Sequence, residues 1–266
     1  MTSFLIPLDP SSNTFIVEIK PDRSLRCKFA NFVIVQNKHD PIAENPFVKS
    51  AFVNYWPQPG LIARDPKRGA RFKNICFMGN PKQFIQETDA LARGISELGL
   101  NWIMVPRKMW NDYREVDCVV AVRPPEPRTP DVWDGAQFSL NRKPATKLYN
   151  AWMAGVPAIL SPDIAFEDTR ESELDFLEAR DVPEILERIN LLMSNAALRR
   201  SMVENGKRRA KEFEVSKTVQ RWIEILEQQI IPEYVRWSRS PFRRWSFFRT
   251  RVIGRRWKRF GKWTWT

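Results

Sequence analysis

Lys143, Lys147 and Asn150 stand four and three residues apart in the segment Lys143-Pro-Ala-Thr-Lys-Leu-Tyr-Asn. If that segment is helical, the three share one face of its first turns, while Leu148, Ala151 and Trp152 point elsewhere. Two ammonium groups beside the free backbone N–H groups of a helix start make a site for phosphates. An amide one turn further in can hydrogen-bond the hydroxyls of an attached sugar or ribose. Lysine has the wrong sign for the positive end of a helix dipole, so cations there make more sense if an anion binds between them. A solvated lysine face on an ordinary surface helix is the alternative.

The elements around this segment alternate. Pro144 suits a first helical position and Gly155 the left-handed residue past a helix end, so the spacing predicts a helix between them. From Lys73 onward, strands are expected at Asn74 to Met78, Trp102 to Val105, Cys118 to Val122 and Val156 to Leu160, with helices at Pro81 to Leu98 and near Trp110 to Val116. Helices at Asp163 to Arg170, Val182 to Met193, Ala196 to Phe213 and Ser216 to Ile231 complete a pattern of α/β type, a Rossmann-like parallel sheet with crossover helices. Residues 1–70 carry eight prolines. That stretch holds two convincing strands, Thr14 to Ile19 and Phe32 to Val35, and an amphipathic stretch near Pro46 to Phe52 that reads as a helix. The expected division is a small or truncated N-terminal unit at 1–70, a ligand-binding domain at 71–235 and a tail at 236–266.

Charge sets the tail apart. The 266 residues include 43 Lys and Arg against 31 Asp and Glu, a net of +12. Eleven of the basic residues and no acid fall within 236–266, leaving 32 basic against 31 acidic residues in the rest. The body is neutral and the tail is the cation. With one His (His39, expected in a surface loop) and three Cys, there is no zinc cluster and no His-centred triad, so no metal or cofactor is expected. Cys76 and Cys118 sit in apolar runs and read as reduced core thiols of a cytoplasmic protein; Cys27 stands alone. No apolar run approaches the roughly 20 residues of a membrane span. The start of the chain lacks the basic and apolar regions of a secretory signal, so the mature protein is expected to begin near Met1.

The run KPATKLYNAWMAGVPAILSP resembles the donor-binding segment of the GT-B glycosyltransferases, of the retaining group 1 kind, where a phosphate-facing helix joins the next strand. DCVVAVRP resembles the strand before it, RFKNICFMGN the first strand of the same domain, and residues 181 to 226 the closing helices. The likeness covers about Phe72 to Leu226. It implies a metal-independent hexosyltransferase that takes a nucleotide-sugar as substrate, with Lys143 and Lys147 beside the donor diphosphate and Thr146 in the first turn as a hydrogen-bond donor. Gly79 and Asn80 match the loop that approaches the phosphates, and Arg123 ends a strand on the expected side. Asn150 stands where many relatives carry a ribose-binding glutamate, a departure that an amide only partly makes good. The N-terminal half is short for this family. The catalytic base is therefore unassigned, with Asp22, Asp40 and Asp65 as candidates and the stretch Asn54 to Asp65 as the crossing between domains.

Ser240-Pro241 reads as a helix start. On a helical wheel beyond it, Trp245, Phe248, Trp257, Phe260 and Trp263 gather on one half, and arginines such as Arg243, Arg244 and Arg255 on the other. That is the pattern of a helix in an anionic membrane interface. Basic, aromatic tails also bind single-stranded nucleic acid. Lipid is preferred because stacking on successive bases would not require the aromatics to segregate. The expected activity is sugar transfer to a sugar or lipid-linked acceptor near the cytoplasmic membrane face. The alternative is a non-catalytic nucleotide-sugar-binding or scaffold protein tethered to membrane or RNA.

Overall fold

The computed structural model describes residues 14–20, 30–43, 45, 48–123 and 143–248, with the backbone alone at 247 and 248. The first sheet is parallel, in the order β1 (Val17–Lys20), β2 (Phe32–Val35), β3 (Lys49–Phe52). All four residues of β2 are buried. Phe32 and Ile34 pack to one side with Val53, while Val33 and Val35 pack to the other with Ala30, the period-two alternation of a strand covered on both faces. The stretch near Pro46 to Phe52, expected as a helix, corrects to strand β3. Four residues are too few for periodicity to decide, and pairing with β2, Val35 against Phe52, outweighs local preference.

The second sheet has five parallel strands in the order β5-β4-β6-β7-β8. They are β4 (Asn74–Phe77), β5 (Asn101–Met104), β6 (Cys118–Ala121), β7 (Ala158–Leu160) and β8 (Leu177–Glu178). The flanking helices are α1 (Thr88–Glu97), α2 (Thr146–Ala154), α3 (Ile164–Glu167), α4 (Val182–Ser194) and α5 (Ala196–Ala210). This is the expected α/β, Rossmann-like architecture. Three details differ. The helix foreseen from Pro81 is a 3-10 turn, Pro81–Gln83, and α1 starts only at Thr88, because Ile85 N–H leaves the helix to donate to Val122 O at 3.1 Å. The short helix near Trp110 to Val116 is instead a 3-10 turn at Arg107–Met109, followed by a turn whose Tyr113 N–H donates to Ile62 O at 2.9 Å. Strand β8 was not foreseen; two residues carry no periodicity.

The segment 53–65 runs from the first sheet to the second. Its Arg64 N–H reaches Ala154 O at 3.0 Å. After α5, the chain returns through α6 (Val215–Ile225), a π turn (Leu226–Ile230) and α7 (Ile231–Ser238) to the first sheet. Ile225 and Ile230 pack there on Phe32, Ile34 and Val53. Lys49 pairs with Glu233, and Trp237, which the sequence groups with the tail, is buried 5.4 Å edge-on to Phe15. α8 (Pro241–Phe248) follows, and Ser240 Oγ accepts from Arg243 N–H at 3.2 Å, the expected hydroxyl cap.

Candidate functional site

Strand order decides where to look. The chain steps from β4 outward to β5, then back past β4 to β6, so the direction of winding reverses between β4 and β6. In an open parallel sheet, ligands bind outside the carboxyl ends of the strands at such a reversal. Gly79 and Asn80 follow β4 there, Arg123 follows β6, Ser161 and Asp163 follow β7, and α2 opens onto the same edge.

Lys147, in the first turn of α2, bends back across the reversal. Its ammonium donates to Met78 O at 3.1 Å and lies 4.9 Å from the centre of the Phe77 ring. A Cβ at position 79 would run into that ammonium and come within 2.8 Å of the Phe77 ring. Glycine is therefore what lets the lysine reach the strand end. Burial pushes the Lys147 ammonium down to about 7, and the charges of Arg123 and Lys143 push the same way, against an opposing pull from Asp163. Lys147 is half-buried and makes no ion pair among the described residues, and with its pKa pushed down to about 7 it stands close to losing its proton at neutral pH.

Arg123 is buried, paired with Asp163 and 5.8 Å from the Phe166 ring. Asp163 also accepts from Ser161 Oγ at 2.9 Å. Burial raises its carboxyl above the ordinary range, while Arg123 and Ser161 hold it back. Lys143 is buried too, and its carbonyl accepts from Asn37 Nδ2 at 2.8 Å, which ties the loop after β2 to the entrance of α2. Among the described residues, the start of α2 has no side-chain cap, and the buried Thr146 hydroxyl has no hydrogen-bond partner. A helix start without a side-chain cap, a hydroxyl without a partner among the described residues and the Lys147 ammonium close by are chemically suited to an anion with several oxygens.

Gly79, Arg123, Lys143, Thr146 and Lys147 thus come to one edge. Asn80 borders it, with its side-chain oxygen turned to Lys82 N–H at 3.1 Å. Asn150 is a correction to the spacing argument. It is buried, and its oxygen accepts from Gln58 N–H at 2.9 Å. A buried amide has to satisfy its own groups, and here it fastens the crossing segment rather than facing the crevice. The two described carboxylates considered as bases are both engaged in the fold. Asp40 is buried in a pair with Lys20, and Asp65 caps the turn at Pro66–Arg68 on the opposite edge of the sheet. Asp22, Arg255, Trp257, Phe260 and Trp263 lie outside the described residues, as does the side chain of Phe248.

No family model matches the chain, and no curated protein sequence matches it. Solved structures do. HepE from Anabaena, in complex with UDP and glucose, superposes with a TM-score of 0.54 at 12% identity, covering 75% of this chain and 64% of that one. Sucrose-phosphate synthase from Thermosynechococcus elongatus gives 0.51 at 13% identity over 76% of this chain and 59% of that one. The pneumococcal O-GlcNAc transferase GtfA, in complex with UDP and GlcNAc, gives 0.52 at 12% identity over 75% and 45%. The fold is that of the GT-B glycosyltransferases. The chain spans only about six-tenths of the first two proteins and less than half of GtfA.

The sequence pattern alone does not single out the pair Ser161 and Asp163 as part of this edge. The signal was present in Leu160-Ser-Pro-Asp, a strand end followed by a capping-type turn at the start of α3. Locally it spells only a helix start, because the partner of Asp163, Arg123, lies forty residues earlier in the chain.

Proposed function

We propose that the chain is a glycosyltransferase that takes a nucleotide-sugar and transfers its sugar to a sugar or lipid-linked acceptor at an anionic membrane surface. One observation carries this reading: the half-buried Lys147 ammonium, without an ion pair among the described residues, at the β4–β6 reversal beside Gly79. The solved complexes of HepE and GtfA with UDP support it by fold.

A diphosphate entering between Gly79 and the start of α2 would meet Lys147, the Thr146 hydroxyl, the first N–H groups of the helix and the charge of Lys143, with Arg123 on the far side. As the glycosidic bond breaks, negative charge grows on the departing diphosphate. Cations already in place and shielded from water stabilise that charge without reorganising. Lys147 begins near its neutral point, so the incoming anion draws a proton onto it and the ammonium is fully charged when the bond cleaves. The reading uses side-chain cations and assigns no metal. Arg243, Arg244, Trp245 and the residues beyond would hold the protein on the inner face of the membrane.

Calorimetry with UDP-glucose, UDP-GlcNAc and GDP-mannose tests the donor site. Wild type should bind at least one of them, and Lys147→Ala should weaken that binding by at least tenfold with an unchanged circular dichroism spectrum. Equal affinity would remove Lys147 from the site. A second reading, a donor-binding protein without turnover, is favoured by the engagement of two candidate bases in the fold, Asp40 in a pair with Lys20 and Asp65 as a turn cap. Binding without hydrolysis or transfer across the donor panel would select it.

A further inference from the structure

α6, the π turn and α7 form a rod roughly 35 Å long at the usual helical rise. One side of it, with Trp222, Ile225 and Ile230, packs on the first sheet. Along a neighbouring flank, Val215, Val219, Ile223, Leu226, Ile231 and Tyr234 stand between 42% and 56% exposed. Single exposed apolar residues are ordinary, but a continuous row marks a surface.

The row is continuous because of the π turn. The first four members are spaced four, four and three residues apart, which keeps them on one flank. The next step, Leu226 to Ile231, is five residues, and in a regular α-helix it would rotate the row by about 140°. The wide turn over Leu226–Ile230 takes up the extra residue and returns Ile231 and Tyr234 to the same flank. Its cause is local. Pro232, in the first turn of α7, has no N–H to continue the α ladder. Beyond the rod, α8 adds Phe242 at 72% and Trp245 at 52% exposure, next to Arg243 and Arg244.

We propose that this flank is a lipid-docking surface, so that the rod, and not the basic tail alone, lies along an anionic bilayer. The proposal rests on the membrane reading above and extends it to the body of the protein. Charge chooses the occupant. The row leads into a stretch with eleven basic residues and no acid, on a chain of net charge +12. An anionic lipid surface complements that charge, whereas a second copy would bring like charge to the same place. The apolar side chains would enter the acyl boundary while the arginines meet headgroups. A rod held flat would fix the orientation of the carboxyl edge relative to the membrane, where a tail alone would leave it free to tumble.

The test uses the full chain with vesicles of phosphatidylcholine containing phosphatidylglycerol, and with phosphatidylcholine alone. Val219→Ser/Ile223→Ser removes apolar area without adding charge and should weaken binding to the anionic vesicles by about tenfold. Its melting temperature and its nucleotide-sugar affinity should stay at wild-type values. Arg243→Glu/Arg244→Glu probes the tail separately. Wild-type binding by the Val219/Ile223 variant overturns the proposal, while loss in that variant together with full binding by the arginine variant sustains it and refutes the tail. If wild type binds no vesicles, both readings fall. If the serine substitutions convert a dimer to a monomer in sedimentation and leave vesicle binding intact, the flank is a subunit interface and the proposal is wrong. Should the double variant misfold, Ile231→Ser alone carries the same comparison.

Discussion

The two edges of the second sheet handle buried charge in opposite ways. On the amino edge, the Asp117 carboxylate is fully enclosed. It accepts from Arg64 Nη2 at 2.9 Å, from Arg68 Nη2 at 2.5 Å and from the N–H groups of Lys73 and Asn74 at 2.8 and 2.9 Å. Burial alone would raise its pKa, but the Arg68 hydrogen bond, the two backbone donors and Arg64 together hold it below the ordinary carboxylate range. On the carboxyl edge, Asp163 pairs with Arg123 and lies near Lys147, and its own carboxyl is pushed up by burial while the Lys147 ammonium is pushed down. Among the described residues, the amino edge is closed around its carboxylate, whereas on the carboxyl edge the Lys147 ammonium meets a backbone carbonyl and a ring face and makes no ion pair. A carboxylate saturated by its own donors serves the fold; a cation held only by a carbonyl and a ring has room for an anion.

That contrast predicts different failures. Asp117→Ala strands two arginines in a site built for their counter-ion and should cost about 3–5 kcal/mol of stability, read as a fall in the urea midpoint. Lys147→Ala should leave that midpoint unchanged or raise it slightly, because it removes a cation that folding partly desolvates without an ion-pair partner among the described residues. Its cost should appear in donor affinity instead, at about 1.5–3 kcal/mol for a lost charged hydrogen bond, measured by calorimetry. If the two variants exchanged these effects, the assignment of the edges would be reversed.

How far the sequence revealed this depended on the range of each interaction. Strands β4, β6 and β7 and helices α2, α4 and α5 were legible because apolar periodicity, Pro144 and Gly155 are local signals. The three basic residues of the site were legible from chain order, since each follows a strand or opens a helix. What stayed hidden is long-range. The Asn150 oxygen is claimed by Gln58, ninety-two residues away, and β3 owes its strand form to pairing with β2. Met78 O and the absent Cβ of Gly79 matter only because α2 delivers Lys147 to them.

The carboxyl edge should also respond to pH in a way that the amino edge does not. The free Lys147 ammonium loses its proton near 7, and the bound diphosphate would restore the proton's affinity toward that of ordinary lysine. Binding then takes up a proton above pH 7, so affinity for a nucleotide-sugar should fall as pH rises from 7 toward 9, by up to about tenfold per unit. A nucleotide-sugar is the right probe because both its phosphates are esterified and do not titrate in this range. Lys147→Arg should bind with a flat profile across the same window, since a guanidinium stays charged.

The smallest expected effect tests whether the edges are mechanically linked. α2 begins at the carboxyl edge with Thr146 and ends at Gly155, whose φ of 70° places it in the left-handed region. A Cβ there would meet nothing closer than Lys207 Cε at 3.5 Å, so Gly155→Ala is opposed by backbone conformation and not by crowding. The cost should be about 1 kcal/mol, visible as a small drop in melting temperature. Leu148, Ala151, Trp152 and Ala154 anchor the helix in the core along its length, so strain at its last residue should relax locally and leave Lys147 in place. Donor affinity in Gly155→Ala should therefore match wild type. A matching loss of affinity would mean that α2 moves as one body, and that the closed edge of the sheet helps to set the open one.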